Sequence, residues 1–226
     1  MKKILFTKKI DEQLVSNILG GSFYCEYIEA IRIKNRKVKP FNVRGKSIIF
    51  TSVNGVKSFF ENGFVLNQDF TNRLCFNRVY AVGIKTKREL RKYGVNTYKV
   101  FSYAYVLIDF IINKANEECY IHFCGNLALD LFNNKLPLQN ISYRRIVVYD
   151  IELLYPEINE NYDGIVFFSP SGVRSVLTNN DIGQAKVFAI GRTTEDELKK
   201  YNIKNIITNN EANLDGIFHS IKNTEF

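Results

Sequence analysis

Two short segments of the sequence place a serine, a second polar residue and a glycine directly after a run of apolar residues. They contain Ser52, Asn54 and Gly55 in the first segment and Ser169, Ser171 and Gly172 in the second. Apolar residues then recur at helical spacing, so each segment predicts a strand, a tight turn and a helix. Such a turn directs free backbone N–H groups and the positive end of the helix at one point, which favours an anion. A pair of well-capped helices without any ligand would produce the same pattern.

Several residues carry signals for the first turn of a helix. Ser169 is predicted to be an N-cap, and Pro170 suits the first helical position. Thr86 and Thr194 each begin the motif T-x-x-E. In this capping box the threonine hydroxyl accepts a backbone N–H and the glutamate bonds back to the cap, so both threonines are predicted N-caps.

The chain contains an internal repeat. Residues 48–60 align with residues 165–177 without gaps, and six of the thirteen positions are identical. Residues 79–95 align with residues 187–203, and eight of seventeen are identical. The two matches occur in the same order along the chain. We therefore interpret the sequence as one α/β half that is duplicated within the chain.

The strands and helices alternate, which predicts parallel sheets with helices on both faces, of the flavodoxin-like or Rossmann-like kind. The first copy has a third strand-turn-helix at 120–133, for which the second copy has no late counterpart. Residues 3–19 have the same pattern and are expected to take that place. The expected division is a discontinuous domain at 1–33 plus 150–226, an inserted domain at 40–142, and linker strands at 34–39 and 143–149.

Ligands bind such sheets beyond the carboxyl ends of the strands. Two facing domains would place the turns of both copies across one interdomain cleft. Gly125 and Asn126 follow the predicted strand at 120–124 and predict a third turn of the same kind, with a helix at 127–133. The sequence therefore predicts three anion-binding turns.

The composition limits the classes of function. The chain has 226 residues, 46% of them hydrophobic, and a formal charge of +8, which suits two modest domains and an anionic partner. No apolar run approaches the roughly 20 residues of a membrane span, and the amino-terminal segment lacks the apolar core of a secretion signal. A cytoplasmic location is expected. Four cysteines without CxxC spacing and only two histidines argue against structural zinc.

Seven basic residues lie between Arg32 and Lys46 with no acidic residue among them. The expected explanation is a solvated linker. Nucleic-acid binding is a weaker alternative, because stacking aromatics are not interleaved with the charges. Steep salt-dependent binding to arbitrary DNA would favour that alternative.

Seven short segments, spread in order over almost the whole chain, resemble the uroporphyrinogen-III synthase family. They are FTK at 6–8, IIFTSVNGV at 48–56, VYAVGIKT at 79–86, CGN at 124–126, VVYDI at 147–151, FFSPSGV at 167–173 and AIGRTT at 189–194. The resemblance implies two α/β domains joined by a two-strand ladder. It also implies a carbon–oxygen lyase of tetrapyrrole and heme biosynthesis, which closes hydroxymethylbilane to uroporphyrinogen III with inversion of ring D and loss of water. The family needs no metal or organic cofactor.

The resemblance assigns roles to individual residues. Tyr149 matches the tyrosine that is thought to assist departure of the substrate hydroxyl, although a strand tyrosine that only packs would look the same in sequence. Lys8 stands where the family often has arginine, and Thr86 and Thr194 match family threonines. The predicted substrate-binding residues are Lys8, Ser52, Asn54, Gly55, Thr86, Gly125, Asn126, Ser169, Ser171, Gly172 and Thr194.

The sequence departs from the family after Gly125-Asn126, where residues 127–129 are apolar and the family often has a basic residue. That substrate contact is absent, or another cation supplies it. The candidates are Arg144, Arg145, Lys85 and Arg192. The expected partner is a linear tetrapyrrole polycarboxylate, bound by a monomer, with no nucleic acid and no membrane. A non-catalytic anion-binding or regulatory protein with the same cleft is the alternative function.

Overall fold

The computed structural model describes residues 1–69, 71–114, 118–208 and 213–226. Its strands are β1 Lys2–Phe6, β2 Phe23–Tyr27, β3 Ile31–Asn35, β4 Ser47–Phe50, β5 Val79–Val82, β6 Lys99–Phe101, β7 Tyr120–Gly125, β8 Tyr143–Leu153, β9 Gly164–Phe167, β10 Lys186–Ala189 and β11 Ile206–Thr208. Its helices are α1 Glu12–Leu19, α2 Val53–Glu61, α3 Ile84–Lys92, α4 Ala104–Asn113, α5 Leu131–Lys135, α6 Pro170–Leu177, α7 Arg192–Lys200 and α8 Leu214–Lys222.

The contacts divide the chain into two compact units. Unit 1 comprises Met1–Arg32 and Glu152–Phe226, and unit 2 comprises Ile33–Ile151. One sheet has the strand order β11-β10-β9-β1-β2, and the other has the order β3-β8-β7-β4-β5-β6. Parallel pairs run through both sheets. In one sheet β1 pairs with β2 and β9. In the other, β4 pairs with β5 and β7, β5 with β6, and β7 with β8.

The internal repeat is visible in the strand register. Ile48 of β4 lies opposite Val79 of β5, and the equivalent Ile165 of β9 lies opposite Val187 of β10. β4 also pairs with β7, and β9 pairs with β1. The amino-terminal strand therefore takes the place in unit 1 that β7 has in unit 2, as expected from the missing third strand of the second copy.

Strand alternation gives each sheet a core on both faces. Ile48 and Phe50 belong to one buried cluster of unit 2, whereas Ile49 between them belongs to another. In β1, Ile4 and Leu5 divide in the same way. Successive side chains of a strand point to opposite faces, so a continuous apolar run requires cover on both sides. Helices on both faces supply it.

The end of β8 differs from the prediction. β8 continues to Leu153, beyond the expected end at Tyr149. The extension keeps its hydrogen bonds after β7 ends, because the Ile151 N–H donates to the side-chain oxygen of Asn126 at 2.8 Å. A backbone group that finds a partner in this way can remain extended past the neighbouring strand.

The two equivalent glycines of the repeat are expected to differ in their tolerance of alanine. A Cβ on Gly55 would lie 2.8 Å from the Phe123 carbonyl oxygen, whereas a Cβ on Gly172 would meet the Ser169 hydroxyl at 3.3 Å. Gly55→Ala should therefore destabilise the protein by about 2 kcal/mol through overpacking against backbone. Gly172→Ala should cost clearly less, because the added methyl group meets a side chain, which can shift, and no backbone atom at close range. Urea unfolding of both variants and the wild type tests this, and equal losses would contradict it.

Candidate functional site

Serine side chains cap the two equivalent helices at the carboxyl ends of β4 and β9. Ser52 is extended and its Oγ accepts the Gly55 N–H at 3.0 Å. Ser169 has the same conformation and accepts the Gly172 N–H at 3.1 Å. Pro170 occupies the first turn of α6, so the predicted cap and helix start are confirmed. The two serine-capped turns are geometrically alike.

The first amides of α2 and α6 point out of the helix, because a helix leaves its first N–H groups without intrahelical partners. The second polar residues of the turns differ. Asn54 is half-buried, whereas Ser171 is buried and its Oγ lies 3.1 Å from the Ser169 Oγ. Each turn can therefore offer backbone N–H groups and the positive helix end to an anion.

Tyr149 of β8 meets the serine-capped turn of unit 2. Its hydroxyl lies 2.9 Å from the Ser52 Oγ, and Tyr149 as a whole is 5% exposed. The ring lies directly over Gly125, where a Cβ would be 2.6 Å from two ring carbons. The Asn126 N–H also donates to the Tyr149 carbonyl at 3.1 Å. Four of the predicted site residues are thus brought together in one place.

The phenol of Tyr149 is protonated at neutral pH. Burial raises the pKa of Tyr149, the hydrogen bond with Ser52 lowers it, and nearby Cys124 raises it, with a net increase. A neutral phenol has one proton to donate. The side chain is therefore suited to act as a hydrogen-bond donor.

The prediction of a helix directly after Gly125-Asn126 is wrong. The expected helix from Leu127 is absent, and α5 begins only at Leu131 and has 5 residues without a capping side chain. The Asn126 side-chain oxygen accepts the N–H groups of Leu127 and Ile151 at 2.9 and 2.8 Å. The asparagine thus holds the chain against β8, so the turn does not form the start of a helix.

Arg145 stabilises the turn at Gly125-Asn126 by hydrogen bonds to its backbone. Its guanidinium donates to the carbonyl oxygens of Gly125 and Asn126 at 3.2 and 2.8 Å and pairs with Asp130 at 2.6 Å. The guanidinium of Arg145 was a candidate for the cation that contacts the substrate, and these bonds already occupy it. Arg144 instead lies over the ring of Phe41 at 4.7 Å.

The prediction that Thr86 and Thr194 are N-caps is wrong. Both helices begin earlier, after Gly83 and Gly191, and the threonines are the third residues of α3 and α7. Gly83 has φ of 84°, a conformation that glycine adopts at little cost, so the chain turns without a capping hydroxyl. Both threonines are buried. Among the described residues, neither glycine start has a side-chain capping bond, so the first backbone N–H groups of both helices can face an anion.

The glutamates of the two T-x-x-E motifs form ion pairs instead of capping boxes. Glu89 pairs with Lys92 at 2.8 Å. Glu197 pairs with Lys200 at 2.8 Å and with Arg174 of α6 at 3.1 Å, which connects α7 to α6. Burial raises the pKa of Glu197, but the two cations lower it by more, so the carboxylate stays charged.

A hydrogen-bonded chain through His122 was not expected from the sequence. Its Nε2 lies 2.9 Å from the Thr51 hydroxyl, and its Nδ1 lies 2.9 Å from the Tyr143 hydroxyl. His122 is 2% exposed, and burial together with the charge of Arg145 lowers its pKa to about 3. The ring is neutral at physiological pH. In the sequence, the one signal for this buried chain is a histidine inside an otherwise apolar strand.

Lys8 lies at the carboxyl end of β1 in unit 1, where it is exposed. The residue before it, Thr7, is buried, and its hydroxyl donates to the Val166 carbonyl at 2.8 Å. Arg192, at the start of α7, is also exposed. Both cations are at the sheet edge where the serine-capped turn of unit 1 lies.

The neutral state of His122 should make stability depend on pH. The unfolded histidine binds a proton near pH 6.5 and the folded one near pH 3, so the free energy of unfolding falls as the pH decreases between these values. Between pH 7 and pH 5 the free energy of unfolding should fall by about 2 kcal/mol less in His122→Gln than in the wild type. Chemical unfolding at several pH values measures this.

His219→Gln is the matched control for that measurement, because His219 is exposed on α8. Its pH profile should follow the wild type. A His122→Gln profile parallel to the wild type would show that His122 is not held neutral by burial.

Comparisons with known proteins agree with this architecture. A family model described as Uroporphyrinogen-III synthase HemD matches residues 28–219. The structure is similar to a uroporphyrinogen-III synthetase from Helicobacter pylori 26695, with a TM-score of 0.67, 14% identity and 98% of each chain covered. It is also similar to a mutant uroporphyrinogen III synthase from Thermus thermophilus, with a TM-score of 0.71, 14% identity and 98% of each chain covered. A comparison with curated proteins gave no match.

The structural similarities confirm the predicted α/β fold with parallel sheets. None of the helices in the described part of the chain is both long and apolar enough to span a membrane. Over the same residues, no three or more His, Cys, Asp or Glu side chains are grouped as metal ligands.

Proposed function

We propose the function of this protein from one premise: the chain belongs to the uroporphyrinogen-III synthase family, whose model matches residues 28–219. The reaction is closure of hydroxymethylbilane to uroporphyrinogen III, with inversion of ring D and release of water. It is a carbon–oxygen lyase step. The observation that carries the proposal to this chain is the Ser52–Tyr149 contact of 2.9 Å at the start of α2.

The first chemical step is loss of the terminal hydroxyl of the substrate. The carbon–oxygen bond breaks, its electron pair leaves with oxygen, and the pyrrole nitrogen stabilises the resulting azafulvene cation. Tyr149 donates a hydrogen bond to the departing oxygen through its phenol, which is neutral at physiological pH. The oxygen leaves as water once it has gained a proton.

The second step is ring closure, for which positioning supplies much of the rate increase. The cation is attacked by the ring D carbon that already carries the bridge to ring C. That bridge bond then breaks, and its carbon bonds to the other α-carbon of ring D, which inverts the ring. The proton released from that α-carbon balances the one taken up by the departing hydroxyl. The substrate carboxylates are the groups by which the enzyme can hold that conformer. The net charge of +8 favours a polyanionic substrate.

We assign the carboxylates to the helix starts and neighbouring residues of the two units. Their free N–H groups and positive helix ends favour negative charge. The proposed binding residues are Lys8, Ser52, Asn54, Gly55, Thr86, Gly125, Asn126, Ser169, Ser171, Gly172 and Thr194. Gly125 and Asn126 contribute by shaping the Tyr149 pocket, since their turn does not begin a helix.

The proposal places the protein in the cytoplasm as a monomer that uses no cofactor, nucleic acid or membrane. Two cations of the basic segment at 32–46 form ion pairs. Arg36 pairs with Asp150 at 2.6 Å, and Arg32 pairs with Glu29 at 3.1 Å. These cations therefore have partners within the protein.

Turnover separates the proposed enzyme from a non-catalytic anion-binding protein. Freshly made hydroxymethylbilane cyclises spontaneously to isomer I, so the yield of isomer III reports the enzyme. We expect isomer III to predominate when the protein is present. Binding of the substrate with an unchanged isomer ratio would favour the anion-binding alternative.

Tyr149→Phe should lower turnover and leave folding and substrate binding nearly intact. General acid assistance is typically worth about 100- to 10,000-fold. The pyrrole nitrogen already helps to expel this leaving group, so we expect the low end, about tenfold to a hundredfold. The measurements are kcat, KM and the thermal midpoint. Tyr149→Ala should in addition lose stability through a cavity.

Tyr143→Phe is the matched control on the same strand. Its hydroxyl bonds to buried His122, so the variant should lose stability with little effect on kcat. A Tyr149→Phe enzyme with normal turnover would exclude a catalytic role for that hydroxyl without changing the family.

A further inference from the structure

We infer that Ser52 is a positioning residue for Tyr149, because its hydroxyl accepts the Gly55 N–H and donates its own proton to the phenol oxygen. The tyrosine proton is then free for the substrate. This inference rests on the proposed function, because it concerns how the same site donates to the leaving hydroxyl.

The hydrogen-bond inventory of the two hydroxyls supports the arrangement. Ser52 Oγ accepts from the Gly55 N–H at 3.0 Å and lies 2.9 Å from the Tyr149 oxygen. A hydroxyl has one proton and two acceptor positions. If Ser52 donates to Tyr149, the protons of Gly55, Ser52 and Tyr149 all point the same way along one chain. Hydrogen bonds in such a chain polarise and strengthen one another.

The opposite orientation would leave the site without its donor. Tyr149 would then donate to Ser52, and its single proton would be used inside the protein. Donation by Ser52 has a second effect, since a hydrogen bond to the phenol oxygen stabilises negative charge that develops as the proton moves toward the substrate. It thus opposes the effect of burial on this side chain.

The ring position restricts Tyr149 to this partner. Gly125 leaves room for the ring, and a Cβ there would lie 2.9 Å from the phenol oxygen. Tyr149 is 5% exposed, so the hydroxyl has little freedom to turn elsewhere. Ser52 itself is held by the start of α2. Both hydroxyl oxygens are therefore fixed by the backbone around them.

The internal repeat supplies a control for the capping role. Ser169 caps α6 with the same geometry, but its Oγ lies beside the Ser171 hydroxyl at 3.1 Å instead of a phenol. Removal of either serine costs one N-cap, worth about 1 kcal/mol. Only the loss of Ser52 also removes the donor to Tyr149. The two alanine variants thus separate capping from catalysis.

The experiment measures kcat, KM and thermal midpoints for Ser52→Ala, Ser169→Ala, Tyr149→Phe and the double variant Ser52→Ala/Tyr149→Phe. The two serine variants should lose similar stability. We expect kcat to fall about tenfold in Ser52→Ala, whereas Ser169→Ala should change chiefly KM. The double variant should be no slower than Tyr149→Phe, because the serine acts through the tyrosine. Ser52→Thr, which retains a hydroxyl, should recover turnover relative to Ser52→Ala.

If Ser52→Ala does not fold, Ser52→Asp replaces it, with Ser169→Asp as the control for added charge. Aspartate caps helices well but only accepts hydrogen bonds when ionised. Tyr149 would therefore donate its proton to the aspartate and not to the substrate. Ser52→Asp should then lower kcat by at least as much as expected for alanine, whereas Ser169→Asp should chiefly raise KM, because its added charge repels the substrate carboxylates.

Two results would overturn the inference with the family function intact. One is an equal change of kcat in the two serine variants. The other is full additivity of the effects of Ser52→Ala and Tyr149→Phe on kcat. In both cases the wild type must make isomer III. A wild type that makes only isomer I would overturn the proposed function, and the inference with it.

Discussion

The close approach of the Tyr149 ring to Gly125 is the constraint on which the candidate site depends. A Cβ on Gly125 would lie 2.6 Å from the ring, so the tyrosine can occupy this position only over a glycine. The same turn is held by Arg145 through two carbonyl oxygens and by the Asn126 side chain. These contacts leave the phenol oxygen beside Ser52. The phenol of Tyr149 is thus placed by backbone packing.

The two halves of the repeat share their framework and differ in their chemistry. Both have a serine-capped helix after the strand and a glycine-started helix after the next strand. In unit 2, Gly55 packs against the Phe123 carbonyl, and Ser52 meets a phenol. In unit 1, the corresponding turn has more space and its serine meets another serine. The similar turns suit similar carboxylates, whereas, within the described parts of the chain, only unit 2 pairs its capping serine with a tyrosine.

Buried polar groups in the protein are stabilised in two different ways. Glu197 keeps its charge because Lys200 and Arg174 offset the cost of burial. His122 has no carboxylate partner among the described residues, and burial beside Arg145 keeps it neutral. A buried charge needs a partner, whereas a neutral imidazole needs only hydrogen bonds. The His122 chain ends at Thr51, directly before the capping serine of the site.

The sequence by itself determined the alternation of strands and helices, the repeated half, the place of β1 and the serine caps. These depend on side-chain periodicity and on hydrogen bonds between residues three positions apart. It misplaced the starts of α3, α5 and α7, because glycine turns and the Asn126 bonds replaced the expected caps. Only the tertiary structure decided that Tyr149 meets Ser52, since these residues are 97 positions apart. Their contact depends on the register of β8 against β7 and on space over Gly125, which local patterns do not encode.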